Sequence, residues 1–130
     1  MTLRPDRTGA ALDFVRDGSL ATLSTVGPGD LIHTVAVGFT YADGVVRIIT
    51  NDGSQKVRNI ERDARATVAQ ITGPRWLSIA GTATIERDPA AVARAVALYA
   101  ERYRQPAENP NRVCIRIVPE RILGAPGLLG

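Results

Sequence analysis

A chain of 130 residues is long enough for one domain that buries about two thirds of its unfolded surface, and 45% hydrophobic with 22% charged residues excludes a disordered chain. One cysteine, Cys114, and one histidine, His33, exclude an internal disulfide, a thiolate zinc cluster and a histidine-rich metal site; no metal is expected, and a reducing cytoplasm suits the composition. The net charge of +3 points only weakly to an anionic partner, six aromatics without basic interleaving argue against nucleic acid, and no apolar run reaches the length of a membrane span.

The opening "MTLRPDRTGA" has no apolar core of the kind a signal peptide carries. Residues 6–17 are expected to form a short helix, with Leu12 and Val15 three apart and Gly18 at its stop. "SLATLSTV" (19–26) alternates as a strand, with Leu20, Thr22, Ser24 and Val26 on one face, and "GPGD" ends it with strong turn composition. "LIHTVAVGFTY" (31–41) reads as one strand. Leu31, His33, Val35, Val37, Phe39 and Tyr41 make its core face. Ile32, Thr34, Ala36, Gly38 and Thr40 make a face of mostly small residues, against which a flat ring or a neighbouring sheet can lie close.

"ADG" is a tight hairpin turn into the strand "VVRIIT" (45–50). "NDGS" then caps a helix over about 54–62, with Asp52 or Ser54 as N-cap and Val57 and Ile60 on its apolar side. Strands follow at 65–72 and 75–86, joined by "GP". Asp88 and Pro89 open the best helix of the chain, 89–104, with Val92, Val96, Tyr99 and Tyr103 as its buried stripe and Arg94, Glu101 and Arg104 outward. "RVCIRIVPERILG" gives a last strand or bent strand pair, in which Cys114 is expected to be half-buried, and "APGLLG" an extended arm. The order gives a single domain over 1–130: a mainly β, antiparallel barrel of six to seven strands with two to three flanking helices.

No nucleophile elbow, Walker loop or Ser-His-Asp set is present. The carboxylates of "ERD" at 61–63 and 86–88 neighbour arginines and read as solvated pairs. His33 can serve as a proton donor or simply as a structural histidine. What remains is anion binding. Lys56 is the only lysine beside fifteen arginines, and it follows Gly53 and Ser54 where a strand ends and a helix begins. Free backbone N–H groups there, with the hydroxyl and the ammonium, can hold a phosphate; an ordinary capped helix with a surface lysine has the same sequence.

"HTVAVGFTY", "TNDGSQKVRNIERDARA" and "GPRWLSIAGTATIERDP" together resemble the split β-barrel of the flavin- and deazaflavin-dependent oxidoreductases, the pyridoxamine-phosphate-oxidase-like family. With the ending "RVCIRIVPERILG" the likeness covers roughly 19–124 and is nearest to the branch that uses coenzyme F420, the F420-dependent biliverdin reductases among it. The resemblance implies a phosphate site at Thr50, Ser54, Gln55, Lys56 and Asn59, where the lone lysine meets the cofactor's phosphodiester. It puts His33, Thr34, Val35, Ala36 and Val37 beneath the deazaflavin ring. Arg75, Trp76, Leu77 and Ser78 fall on the strand that approaches the cofactor, in some relatives from the other subunit of a homodimer. The implied chemistry is hydride transfer to a small conjugated substrate such as biliverdin, with Arg58 and Arg75 as candidates for the substrate's propionates or the cofactor's acidic tail. Two rival expectations are an FMN-dependent oxidoreductase of the same fold and a non-catalytic F420- or tetrapyrrole-binding protein. A single lysine, with Arg58 at most beside it, suits a singly charged phosphodiester better than the terminal phosphate of FMN.

Overall fold

Alternation of inward and outward side chains organises the chain into seven strands: β1 (Ala21–Val26), β2 (Ile32–Val37), β3 (Thr40–Ala42), β4 (Val45–Asn51), β5 (Arg65–Thr72), β6 (Arg75–Glu86) and β7 (Arg112–Gly124). Among the described residues three α-helices accompany them, α1 (Gly9–Arg16) ahead of β1, α2 (Gln55–Arg62) and α3 (Pro89–Arg102) between strands, and a short 3-10 turn at Pro28–Asp30 follows β1. The structure is a computed structural model and describes residues 9–17 and 19–127. The strands form one sheet in the order β2-β1-β5-β6-β7-β4-β3, every neighbouring pair antiparallel. This is a split β-barrel. The expected positions 6–8 of the first helix, its stop at Gly18, and the end of the C-terminal arm lie outside the described residues.

The barrel interior is one apolar cluster. Leu23, Val68, Ile79, Ile115, Ile117 and Ile122 come from the strands, Phe14 and Val15 from α1, and Val57 and Ile60 from α2. The two short helices therefore seal the barrel with their apolar stripes, as the spacing of Val57 and Ile60 predicts. α3 packs instead against β3, β4 and β7. Its start is as expected: Pro89 is its first residue, and the Asp88 carboxylate accepts the Ala91 N–H at 3.1 Å. It ends two residues earlier than expected, at Arg102. The long pair β6 and β7 stays in contact over ten residues of each strand through a bulge opposite Ala80 and Gly81.

Three expectations are corrected. Residues 31–41 are not one strand: β2 ends at Val37, the chain turns at Gly38 and Phe39, and β3 begins at Thr40 on the far edge of the sheet. The break has a local cause, because Gly38 packs against the rings of Tyr99 and Tyr103 so tightly that a Cβ there would lie 3.0 Å from each. Leu31 precedes β2 and is 75% exposed rather than part of the core face. Cys114 is not half-buried but fully buried, since both faces of β7 are covered at 113–115, the outer one beneath α3. The "ADG" hairpin is as expected. Asp43 and Gly44 take φ of 56° and 73°, the left-handed pair that a two-residue turn between twisted strands requires.

Candidate functional site

The run 32–42 has a consequence for the sheet. Its first half pairs with β1 and its second half with β4, at opposite ends of the strand order. β3 is so short that it pairs only with Val45–Arg47, which leaves the edge of β4 beyond Arg47 without a strand partner. Among the described residues the outer edge of β2 is unpaired too. A groove of about 320 Å³ lies between these two lips. Ala36, Val37 and Gly38 line one side, and Ile49, Thr50 and Asn51 the other. Lys56 of α2, Tyr99 of α3, and Pro106, Asn109 and Arg112 complete the wall.

No aspartate or glutamate among the described residues lines this groove. Lys56, in the first turn of α2, has no carboxylate within ion-pairing distance among the described residues, and burial pushes its ammonium below the ordinary value of 10.5. Ser54 stands at the N-cap in extended conformation, but its hydroxyl does not cap the helix; Oγ is buried and finds no partner among the described residues. The first N–H groups of α2 thus remain without a side-chain acceptor. Asp52 is turned away from them. It accepts the Gly53 N–H at 2.9 Å and the Arg87 guanidinium at 2.8 and 3.0 Å, so Arg87 lowers its pKa. Arg87 also reaches Glu61 at 3.1 Å, tying the two "ERD" runs together on the surface.

Two of the expected phosphate residues, Gln55 and Asn59, belong to a chain of hydrogen-bonded side chains. Arg58 donates to Gln55 Oε1 at 2.7 Å, Gln55 Nε2 donates to Asn59 Oδ1 at 2.7 Å, and Asn59 Nδ2 donates to Thr25 Oγ1 at 3.1 Å. Asn59 is fully buried and uses both ends of its amide inside the fold. It acts on the site by fixing α2 against β1. His33 is the strand partner of Thr25; it is half-buried, and its Nδ1 is buried without a protein partner. Thr34 and Ser24 share a hydrogen bond at 3.0 Å on the opposite, exposed face.

The structure therefore brings Ala36, Val37, Thr50 and Lys56 to one groove, with the α2 start beside them. Arg75, Trp76, Leu77 and Ser78 are elsewhere in the chain's own sheet. Ser78 shares the outer face with Ala36 through the cross-strand row Ala36–Thr22–Ala69–Ser78, three strands or about 14 Å away. Leu77 belongs to the core, Trp76 is 41% exposed, and the Arg75 guanidinium lies 5.2 Å from the centre of the Phe14 ring. Sequence reasoning did not single out Tyr99, Asn109 or Arg112 for the site. The run "QPAENPN" that carries Asn109 has only turn composition in the sequence.

This donor set fits the phosphodiester of F420. A half-buried ammonium lines a groove that no carboxylate among the described residues lines, and the orphaned Ser54 hydroxyl stands two positions before it at the start of the same helix.

Comparison with known proteins agrees. A family model described as Pyridoxamine 5'-phosphate oxidase matches residues 8–124. The F420H(2)-dependent biliverdin reductase of Mycobacterium tuberculosis (strain CDC 1551 / Oshkosh) is 44% identical over 121 residues, 92% of this chain and 88% of that one. The crystal structure of a conserved hypothetical protein from Mycobacterium tuberculosis is 30% identical with a TM-score of 0.78, covering 87% of this chain and 80% of that one. A solved F420 reductase shares the fold at 24% identity and a TM-score of 0.72, covering 85% and 94%. A match that runs from α1 to the end of β7, in a split barrel whose groove carries the expected lysine, places the chain in the pyridoxamine 5'-phosphate oxidase family.

Proposed function

We propose that the chain is an F420-dependent oxidoreductase that reduces biliverdin to bilirubin. The observation that carries this reading is the groove between the two lips of the sheet, which holds Lys56 at the start of α2 and no carboxylate. The 44% identity to an F420H(2)-dependent biliverdin reductase supports the choice of cofactor and substrate. Reduced F420, when bound, supplies the hydride for the central methine carbon of the substrate.

The protein's own residues bind, orient and shield. Lys56, the Ser54 hydroxyl and the α2 amides hold the phosphodiester; Thr50 lies on the lip beside them. The backbone of His33–Val37 supports the ring, with small side chains at Thr34 and Ala36 on the exposed face. Gln55 and Asn59 fix α2, and Arg58 is held by Gln55 at the helix surface. Orientation of two bound reactants and exclusion of water are the protein's share of the rate gain.

The second element of the reading is a homodimer. The outer face of the sheet exposes Leu20, Ile32, Ile71 and Trp76, with Ala36 and Ala69 between them, an apolar surface that a second copy would cover. Pairing there would carry Trp76 and Ser78 of one subunit toward the groove of the other, while Arg75, at the start of the same strand, lies over the Phe14 ring. No helix among the described residues is long and apolar enough to cross a membrane. A reducing cytoplasm keeps Cys114 a thiol, and we place the enzyme there.

The test is fluorescence titration of the protein with F420 and, separately, FMN, followed by addition of biliverdin to the reduced F420 complex. Selective F420 binding with bilirubin formation is expected. Tighter FMN binding would move the protein to the flavin branch. Light scattering at micromolar concentration is expected to give the mass of a dimer; a monomer that binds cofactor normally would remove that element.

A further inference from the structure

Lys56 is not the groove's only uncompensated cation. Arg112 opens β7 directly opposite Asn51 of β4 and lines the same groove. Arg65, Arg87, Arg94 and Arg116 all lie on carboxylates, but Arg112 has none within ion-pairing distance among the described residues. Its one hydrogen-bonding side-chain contact there is donation to the Ala107 carbonyl at 2.8 Å, which leaves most of the N–H fork free.

The wall that carries Arg112 is fixed in place. The Asp52 N–H donates to the Asn111 carbonyl at 2.8 Å, and the Asn109 side-chain amide donates to Asn51 Oδ1. Asn109 Oδ1 accepts the Asn111 N–H at 3.0 Å, and the Arg112 N–H donates to the Asn109 carbonyl at 3.1 Å. The residues following α3 are thereby tied to β4 close to the α2 start, so the two cations stand on a connected scaffold. Two like charges line one groove with no carboxylate among the described residues lining it, and a bound anion would relieve their repulsion.

The cations differ in kind. An ammonium at a helix start is a compact point charge, suited to a tetrahedral phosphodiester. A guanidinium is a planar fork, suited to the two oxygens of a carboxylate. We propose that Arg112, positioned by Asn109 and the Ala107 carbonyl, forms a second anion subsite of the groove that takes a carboxylate. The assignment rests on the F420 reading for its ligand, and the carboxylate belongs either to the cofactor's acidic tail or to a propionate of the substrate.

The experiment compares wild type, Arg112→Gln and Arg112→Lys, each first shown to melt cooperatively. Arg112→Lys keeps the charge and tests the fork if the glutamine variant fails to fold. Fluorescence titration uses F420 and the deazaflavin riboside that lacks both phosphate and acid chain. Loss of the fork is expected to weaken F420 binding about tenfold or more while leaving the riboside unchanged, which assigns the carboxylate to the cofactor. Unchanged F420 affinity with a raised KM for biliverdin assigns it to the substrate.

If neither moves, Arg112 is a clamp on its own loop and the subsite is overturned. A third arm is independent of the deazaflavin: triglutamate peptide is expected to raise the melting temperature of wild type but not of Arg112→Gln. Should wild type bind no F420 while this difference persists, the subsite stands and the cofactor reading falls. Should wild type bind no F420 and the peptide stabilise both proteins equally, the subsite falls with it.

Discussion

Asn59 of α2 donates from its side-chain amide to the Thr25 hydroxyl of β1 at 3.1 Å, across 34 positions of sequence, with both residues buried. This bond sets the height of α2 over the barrel, and Lys56 rides one turn earlier on the same helix. Asn59→Ala leaves the Thr25 hydroxyl and the Gln55 amide without their partner. The expected cost is about 2–3 kcal/mol in urea unfolding, with an unchanged m-value. A loss below about 0.5 kcal/mol would mean that the bond is replaced by water.

Lys56→Ala is expected to weaken F420 binding by about 1–3 kcal/mol while the melting curve keeps its shape, because a charge-assisted bond is lost at the start of α2. The pH dependence has a defined sign. Burial lowers the folded-state pKa of Lys56 below 10.5, so between the lowered value and 10.5 the folded chain binds fewer protons than the unfolded one. Stability of the free protein therefore rises with pH across that window. F420 affinity falls across the same window, as the ammonium is lost. Titrations from neutral pH to about 10.5 should show this decline in wild type and a flat profile in Lys56→Ala, with Lys56→Arg retaining affinity at the alkaline end.

Gly81 sits at the bulge between β6 and β7, where a Cβ would lie 2.0 Å from the Val118 carbonyl oxygen. Backbone on the partner strand cannot swing aside as a side chain can. Gly81→Ala is expected to cost about 3 kcal/mol or more, read as a lowered denaturation midpoint or as insoluble expression. A variant with a wild-type midpoint would show that the two long strands slide past the bulge freely.

The Cys114 thiol is pushed up to about 11, by burial first and by the Glu86 carboxylate second. It should resist thiol reagents at mildly alkaline pH in the folded protein and react at once in denaturant. Its labelling rate then follows the opening of β7 beneath α3. Rapid labelling of the native protein would contradict the packing of that helix.

The sheet was legible where burial is decided by neighbours in sequence. β5 and β6 follow their alternation and span the expected residues, and Asp88–Pro89 starts α3 as its capping chemistry dictates. The strand at 31–41 was misread because the alternation of Val35, Val37 and Phe39 runs through the break. What interrupts it is the contact of Gly38 with two tyrosines more than 60 positions away. Arg102 was invisible for the same reason. An arginine near the end of an amphipathic helix reads as surface, yet its side chain is 5% exposed. It donates to the carbonyls of Asp17, Ser19 and Phe39 and to Gln70 Oε1.

The site divides likewise. Lys56 and Ser54 stand out from composition and local order, since one lysine among fifteen arginines invites a reason. Arg112 does not stand out, because its meaning lies in what surrounds it. Only the folded chain shows that no acid stands beside it and that it faces the same groove as Lys56.

One lip of the groove, β2, passes through Gly38 and Phe39 into β3, the strand paired with the other lip, β4, and the turn is pinned where the Phe39 N–H donates to the Tyr103 hydroxyl at 3.2 Å. The width of the cleft is thus written into a dipeptide and one anchoring ring. A side chain at position 38 would press against the rings of Tyr99 and Tyr103, so a change of width at that turn also moves the seat of α3. The cleft and the helix behind it are therefore set together, and neither can be retuned at that turn alone.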